Sequence, residues 1–349
     1  MYKMRILNLD NWCEEAIKNV KNTNTSSKNW NHDGTPFVDN KRVELVNAEG
    51  NIVDANFDGI ITGLHPIDKK LIDMFPPLKF IASGTTGLDH IDLDYCKAKG
   101  IDVISLKGET EFLQDVHATA EHTFGLILSL VRRIPFAHND VCNGNWNREA
   151  WQGVELYGKT LGIVGLGRVG KQVAKFAEAF GMKVIWHDPY IKQAPPNTIP
   201  DYYKVDRTLE CLFRESDIVT VHVPLNPETT GMFGYQQFAL MKSSALFINT
   251  SRGAVVNESN LLNALEYGII AGVALDVSAN EPGISPSMQV YLKYTEKNII
   301  VTPHISGNTV ESRAKTQCFI ANKIKEYIEK CDVQKGDDIN VRENNRTNR

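Results

Sequence analysis

The chain has 349 residues, of which 42% are hydrophobic and 23% are charged, and its formal net charge at pH 7 is -4. This length suits two domains of ordinary size, and the composition is typical of a globular protein. The lack of a basic excess argues against nucleic acid or an anionic membrane as a partner, so we expect a small-molecule ligand.

The six cysteines lie at scattered positions without the CxxC or Cys/His spacing typical of zinc sites, so we expect reduced thiols and no metal. The amino-terminal residues lack the apolar core of a secretion signal. No run approaches the roughly 18 apolar residues of a membrane span. These features predict a cytoplasmic protein.

Short apolar runs separated by helical or polar spacers predict a small parallel α/β domain at the start of the chain. The predicted strands are residues 4–9, 58–62, 78–83 and 101–106. Residues 22–41 are rich in Asn, Ser, Thr and Gly, which predicts a long surface loop whose role the sequence does not indicate.

The nearly continuous apolar stretch at 119–132 has helical spacing, which predicts a buried helix that carries the chain into a second domain. The next apolar runs predict a second parallel sheet, with strands at 161–164, 218–223, 245–249, 272–276 and 299–302. From residue 309 to about 330 the pattern is helical and is expected to return to the first domain.

These elements predict an α/β fold of two flavodoxin/Rossmann-like domains with parallel sheets. The domain formed by 116–304 is expected to be inserted into a discontinuous domain formed by 1–115 and 305–332. The remaining residues, 333–349, are polar and free of aromatic side chains, which predicts a disordered tail.

The most informative segment, residues 160–188, reads TLGIVGLGRVGKQVAKFAEAFGMKVIWHD. A strand, a GxGxxG turn, a helix, a second strand and a terminal acid follow in the order of a dinucleotide-binding unit. The predicted cofactor contacts here are the three glycines and the two residues that open the helix: Gly165, Gly167, Gly170, Arg168 and Val169. Asp188 would accept hydrogen bonds from the adenosine ribose and repel the 2′-phosphate of NADP, so the sequence favours NAD.

From about residue 78 to about residue 330 the chain resembles the D-isomer-specific 2-hydroxyacid dehydrogenases. Besides the glycine turn, the resemblance rests on TAEHTFGLILSLVRRIP, VHVPLNPETTG, INTSRGAVVNE, ALDV, Glu281-Pro282 and VTPHISG. It implies that Arg252 holds the substrate carboxylate, that His304 is the general acid/base, and that Glu281 orients and charges this histidine.

These residue types suit the implied chemistry. Hydride transfer to a keto carbon leaves a developing alkoxide, and histidine is the side chain that ordinarily exchanges protons near neutral pH. A carboxylate partner stabilises the imidazolium, and a guanidinium grips a planar carboxylate at two points. Each side chain follows a predicted strand, where open α/β sheets bind their ligands.

The resemblance also implies further contacts. Those expected at the nicotinamide are the VHVPL loop, two residues beside the ring and an aspartate at its carboxamide: His222, Pro224, Thr250, Ser251 and Asp276. The first domain is expected to bind substrate through Gly84, Thr85 and Thr86, together with Arg252. Two departures from the family pattern, the threonines of this loop and a longer segment at 105–117, leave the substrate open. His117, His122 and His187 are predicted to be structural.

We therefore expect an NAD-dependent enzyme that interconverts a D-2-hydroxy acid and a 2-keto acid, such as phosphoglycerate, glycerate/glyoxylate or a related acid. Closure of the domains about Gly108 and Pro303 would exclude water, and the family implies a homodimer. The physiological direction is not encoded. Formate dehydrogenases share the architecture but pair the histidine with glutamine, which Glu281 argues against. An NAD-sensing, corepressor-like interaction protein on the same fold remains the alternative.

Overall fold

The computed structural model describes residues 4–10, 12–21, 43–47, 56–191, 208–294 and 297–347. The loop predicted at 22–41 therefore lies outside the described residues. The chain divides into two compact units, the first formed by Met1–Glu109 and Val310–Arg349 and the second by Thr110–Thr309. Because the second unit interrupts the first along the chain, the predicted fold class, one α/β domain inserted into another, is confirmed.

The first unit contains a five-stranded sheet in the order β2-β1-β3-β4-β5, and the second contains a six-stranded sheet in the order β11-β10-β9-β8-β6-β7. Every pairing described in both sheets is parallel. The strands are β1 (Met4–Asn8), β2 (Val43–Asn47), β3 (Gly59–Thr62), β4 (Phe80–Ser83), β5 (Asp102–Ile104), β6 (Thr160–Val164), β7 (Lys183–His187), β8 (Ile218–Val221), β9 (Leu246–Asn249), β10 (Gly272–Leu275) and β11 (Asn298–Val301).

The helices alternate with the strands along most of the chain, as parallel sheets require. Those of the described residues are α1 (Glu14–Lys21), α2 (Lys69–Asp73), α3 (Leu93–Lys99), α4 (Thr110–Leu113), α5 (Ala118–Val131), α6 (Ile134–Cys142), α7 (Arg168–Ala179), α8 (Leu209–Glu215), α9 (Tyr235–Leu240), α10 (Glu258–Glu266), α11 (Pro286–Tyr294) and α12 (Val310–Thr347). None of them combines the length and apolarity needed to cross a membrane.

The six-stranded sheet is buried on both faces, which explains why its strands read as continuous apolar runs. Alternate residues of a strand point to opposite faces. Ile163 of β6 accordingly packs with α5 and α7, whereas its neighbour Val164 packs with α8, α9 and α10. On β9, Ile248 packs on the same face as Ile163, and its neighbour Phe247 packs on the same face as Val164. This two-sided packing fixes the strand ends from which the site is built.

Helix α12 belongs to the first unit, where Ile324 and Ile328 are buried and the Tyr327 hydroxyl donates to Asp102 at 3.0 Å. It runs to Thr347 and so covers most of the segment, 333–349, for which the sequence predicts a disordered tail. Extending an existing helix avoids the cost of a new nucleus, so a polar segment can continue one without a core of its own.

Candidate active site

Most of the predicted site residues follow strands of the six-stranded sheet. Because these strands are parallel, their carboxyl ends lie along one edge, here termed the carboxyl edge. The residues that directly follow β6, β8, β9, β10 and β11 are Gly165, His222, Thr250, Asp276 and Thr302. Strand order reverses between β6 and β8, which is where sheets of this type bind ligands.

The GxGxxG turn joins β6 to α7. Gly165 has a φ of 93°, a left-handed conformation that a side chain would strain, and a Cβ there would lie 2.8 Å from the carbonyl oxygen of His222. A Cβ at Gly170 would overlap the carbonyl oxygen of Gly165. A Cβ at Gly167, by contrast, would meet no atom within 4 Å. The turn thus leaves open space beside the first amides of α7, as a bound pyrophosphate requires.

The side chain of Arg168 does not extend this anion site in the present structure. Its Nη1 donates to the carbonyl oxygen of Val116 at 2.7 Å, and burial lowers the pKa of its guanidinium. Gln172, one turn later on α7, donates to the same oxygen at 3.2 Å and to that of Gln114 at 3.1 Å. These two side chains attach residues 114–116 to helix α7, whereas the amides of Arg168 and Val169 remain the predicted phosphate contacts.

Asp188 follows β7 and lies beside the glycine turn. Its Oδ2 accepts from the Leu166 amide at 2.9 Å and its Oδ1 from the Tyr190 amide at 3.0 Å. The Tyr190 hydroxyl in turn donates to Glu228 at 2.9 Å, and this contact raises the pKa of the tyrosine. Tyr190 therefore links the segment of Asp188, the predicted adenosine contact, to the segment of Glu228.

His222 directly follows β8, and its Nε2 lies 3.0 Å from the Thr220 hydroxyl. Burial lowers the pKa of His222 from its ordinary 6.5 to about 3, so the ring is neutral at physiological pH. The exposed Pro224 follows in the same loop, where its carbonyl oxygen accepts from Thr229. A neutral ring suits a wall of the cofactor site and not a proton donor.

The loop after β9 carries Arg252 and is held by Asn249, a residue that was not among the predicted site residues. Asn249, fully buried, donates through Nδ2 to the carbonyl oxygen of Arg252 at 2.9 Å and accepts from Ser251 at both its amide and its hydroxyl. Thr250 is also buried, with its hydroxyl 2.9 Å from that of Thr123. The Arg252 guanidinium donates to the carbonyl oxygen of Ser251 at 2.7 Å.

Gly253 brings the Arg252 loop against the loop that follows β10. A Cβ at this position would overlap backbone atoms of Ser278 and Ala279, so only glycine permits the approach. The amide of Ser278 donates to Oε1 of Glu281 at 2.9 Å. Through this contact the arginine-bearing and glutamate-bearing loops lie side by side.

Glu281 and His304 form a direct pair. Glu281 Oε2 lies 2.7 Å from His304 Nδ1, and the two side chains are 33% and 19% exposed. A carboxylate only accepts hydrogen bonds, so Nδ1 carries a proton, and Nε2 takes no part in this pair. His304 has a φ of 52°, an uncommon value for a non-glycine residue and one that favours a functional origin.

Asp276, fully buried, organises the loop that carries His304. Its Oδ1 accepts from the Thr302 hydroxyl at 2.5 Å and the Ile305 amide at 2.9 Å, and its Oδ2 accepts from the Ser306 amide at 2.8 Å. Burial alone would raise its pKa, but hydrogen bonds from His122, Thr302 and the amides outweigh burial and lower it to about 2. The predicted contact with the nicotinamide carboxamide stays a prediction.

The predicted substrate loop belongs to the first unit and follows β4. The Thr85 hydroxyl lies 2.8 Å from that of Ser83 and donates to the carbonyl oxygen of Gly87 at 2.8 Å. Thr86 is exposed, and a Cβ at Gly84 would meet nothing within 4 Å. The Thr85 hydroxyl already forms hydrogen bonds within the loop. The backbone amides of the loop are therefore better candidates for anion binding. Their contact with substrate stays a prediction.

A sequence model of the D-isomer specific 2-hydroxyacid dehydrogenase NAD binding domain matches residues 124–306. The chain belongs to the D-isomer specific 2-hydroxyacid dehydrogenase family. The D-3-phosphoglycerate dehydrogenase of Bacillus subtilis is 35% identical over 298 residues, which cover 84% of this chain and 54% of that protein. The glyoxylate reductase of Thermococcus litoralis is 41% identical over 265 residues, which cover 74% of this chain and 76% of that protein.

The solved structure of D-lactate dehydrogenase from Aquifex aeolicus, in complex with NAD and lactic acid, matches with a TM-score of 0.75 at 27% identity. The match covers 93% of this chain and 95% of that one. The chain spans about half the length of the phosphoglycerate dehydrogenases that it matches. The family predicted from the sequence is confirmed.

In this member of the D-isomer specific 2-hydroxyacid dehydrogenase family, the described residues pair His304 with Glu281 directly and place Arg252 on the adjoining loop. The roles of the individual site residues stay predictions. Sequence reasoning did not find Asn249 or Gly253, although both stand within the NTSRG string. Within the described part of the chain, no group of three or more His, Cys, Asp or Glu side chains is placed to hold a metal ion.

Proposed function

We propose that this chain is an NAD-dependent oxidoreductase that interconverts a D-2-hydroxy acid and the corresponding 2-keto acid. The observation that carries the proposal is the 2.7 Å pair between His304 and Glu281 at the same carboxyl edge as the glycine turn. A proton carrier and a dinucleotide-type anion site on one sheet edge are what a hydride-transfer enzyme needs.

Each side chain has a distinct task in this proposal. Glu281 fixes the ring of His304 with its proton on Nδ1, so that Nε2 exchanges a proton with the substrate oxygen. Arg252 binds the substrate carboxylate through its planar guanidinium, and Gly253 keeps it beside the Glu281 loop. The bound nicotinamide cofactor supplies or accepts the hydride.

The residues present fit that cofactor. Open space at Gly167 and the first amides of α7 suit the pyrophosphate, and neutral His222 suits a wall beside the ring. Asp188, held at the turn by the Leu166 amide, would receive the ribose hydroxyls and repel a 2′-phosphate. We therefore propose NAD, and not NADP, as the cofactor.

The proposed substrates are small 2-keto acids and their D-2-hydroxy counterparts, with phosphoglycerate and glycerate/glyoxylate as the named candidates. The relatives called phosphoglycerate dehydrogenase and glyoxylate reductase support this class. A screen of NADH oxidation with glyoxylate, hydroxypyruvate, pyruvate, 2-oxoglutarate and phosphohydroxypyruvate would select among them.

Replacement of His304 tests the mechanism. We expect His304→Ala to lower kcat by about 10²–10⁴-fold, the usual contribution of a general acid/base, while NADH still binds in a fluorescence titration. His138→Ala, on the exposed part of α6, is the matched control for loss of a histidine, and sedimentation equilibrium of this variant shows whether it keeps the assembly of the wild type. A rate for His304→Ala equal to that of the wild type would contradict the proposal.

We also propose a homodimer formed through the second unit. Large apolar side chains are exposed within one short stretch, at Ile134, Val141, Trp146, Val154 and Tyr157. Trp146 and Tyr157 are 87% and 81% exposed, and such patches typically mark interfaces. Sedimentation equilibrium should give about twice the 39.1 kDa of the chain. A monomer at micromolar concentration would contradict this assembly.

A cytoplasmic location remains part of the proposal. All six cysteines lie within the described residues, and each is a free thiol. Proteins of oxidising compartments commonly pair their cysteines in disulfides, so free thiols favour a reducing one. Cell fractionation with antibody detection would test the location.

A further inference from the structure

One turn of helix α5 reaches both loops that carry the proposed chemistry. His122 and Thr123 are neighbours in this turn, so their side chains leave the helix in different directions. His122 contacts the loop after β11, and Thr123 contacts the loop after β9. The same rigid element therefore touches the segment of His304 and the segment of Arg252.

In the hydrogen bonds of His122, the donor and the acceptors can be assigned. His122 Nε2 lies 3.2 Å from the Thr302 hydroxyl and 3.3 Å from Asp276 Oδ1. Thr302 donates its only hydroxyl proton to Asp276, so it can only accept from His122. Asp276, as a carboxylate, also only accepts. Both neighbours thus require a proton on His122 Nε2, and the ring is a donor that supports the buried acid.

This donor contributes to the position of His304. Asp276 binds the amides of Ile305 and Ser306 through its side chain, and its own carbonyl oxygen accepts from the His304 amide at 2.7 Å. These bonds hold His304 in its left-handed conformation. Loss of the His122 contact would leave Asp276 with one hydrogen-bond donor fewer. The backbone around His304, which Asp276 holds, would then be less firmly fixed.

The donor and the acceptor in the hydrogen bond between Thr123 and Thr250 can also be assigned. Thr123 donates its hydroxyl proton to the Thr119 carbonyl oxygen at 2.7 Å, so Thr250 must donate in the 2.9 Å contact between the two hydroxyls. Thr123 is fully buried, and Thr250 is 5% exposed. Thr250 lies between Asn249 and Ser251, in the loop that presents Arg252. Without the Thr123 oxygen, a buried hydroxyl in this loop would lose its acceptor.

We propose that His122 and Thr123 are positioning residues through which α5 sets the two working loops, His122 that of the proton carrier His304 and Thr123 that of the carboxylate-binding Arg252. The inference rests on the proposed function for the tasks of these two loops. It goes beyond the sequence prediction, which treats His122 as structural and gives Thr123 no role.

Two pairs of variants test it by their different kinetic effects. His122→Leu removes the donor, and His122→Gln restores one at a similar reach; Thr123→Val removes the hydroxyl, and Thr123→Ser restores it. Since His304 acts in the chemical step, His122→Leu should lower kcat by about three- to tenfold with KM for the keto acid little changed. Since Arg252 binds the carboxylate before the reaction as well, Thr123→Val should raise that KM by a similar factor with kcat little changed.

The conservative variants should recover most of the loss, and melting temperatures and NADH titrations of all four would show that they fold and bind cofactor. If the wild type is active and the variants change only their melting temperatures, both residues are structural and the inference is refuted. If both residues change kcat and KM in the same way, the separate positioning of the two loops is refuted. A wild type that reduces no 2-keto acid would refute the proposed function as well as the inference, so the two failures are distinguishable.

Discussion

Replacement of His222 by asparagine tests the reasoning about buried charge at the carboxyl edge. Burial lowers the pKa of His222 from 6.5 to about 3, because removal of water disfavours the charged ring. The unfolded chain exposes this ring to water. Protonation below pH 6.5 therefore occurs in the unfolded state well before it occurs in the folded state.

The size of the change in stability follows from the difference between the pKa values of His222 in the folded and unfolded chains. Because the folded state binds fewer protons, the free energy of unfolding is fully retained above the unfolded pKa of 6.5 and falls as the pH drops toward 3. Each pH unit is worth about 1.4 kcal/mol per proton, so the loss through His222 between about pH 7.5 and about pH 5 is about 2 kcal/mol. His222 as a whole residue is only half-buried, which makes this the upper end of the expected range.

Equilibrium urea unfolding of the wild type and His222→Asn at both pH values provides the assay, with His65→Asn, at an exposed position of the first unit, as the control for removal of a histidine. Asparagine keeps a polar group opposite Thr220 but does not titrate. Relative to the wild type, His222→Asn should gain about 1–2 kcal/mol of stability on passing from the higher to the lower pH. Parallel pH dependences of the wild type and His222→Asn would show that folding does not lower the pKa of His222.

Two further predictions concern the loops around the site. Gly253→Ala should lower both the melting temperature and kcat/KM for the keto acid, because its Cβ would overlap the backbone of Ser278 and displace Arg252. Gly125→Ala, on the exposed face of α5 where a Cβ meets nothing within 4 Å, is the matched control, and equal effects of the two would contradict this assignment. Asp188→Asn should raise the NADPH to NADH ratio of kcat/KM by about tenfold, since a negative charge that faces the 2′-phosphate is removed; an unchanged ratio in steady-state assays would show that Asp188 does not select the cofactor.

The sheets were predictable wherever burial on both faces makes a strand a continuous apolar run. The run predicted at 218–223 forms β8 at Ile218–Val221, and the run at 272–276 forms β10 at Gly272–Leu275. In contrast, β2 (Val43–Asn47) was not predicted, because Glu44 and Asn47 interrupt its apolar residues and leave no continuous run.

The site residues likewise differ in how far the sequence alone could predict them. The glycine turn could be recognised because strand, turn, helix and acid are contiguous in sequence, and His304 and Glu281 because their local strings resemble a family. The contact between His122 and Thr302 joins residues 180 positions apart, and no local string records it. The overlap that makes Gly253 obligatory likewise depends on where Ser278 lies in the folded chain. Tertiary support for a reacting group is therefore visible only in the structure.

Three histidines at one sheet edge illustrate how environment assigns roles to one side-chain type. Burial lowers the pKa of His222 to about 3, so the imidazolium form that a general acid needs is absent near neutral pH. His122 must keep its proton on Nε2, because both neighbours of that nitrogen accept. His304 has a carboxylate at Nδ1, which accepts the proton of that nitrogen and takes no part in the contacts of Nε2. This separation of environments supports the proposed assignment of His304, and not of His122 or His222, as the proton carrier.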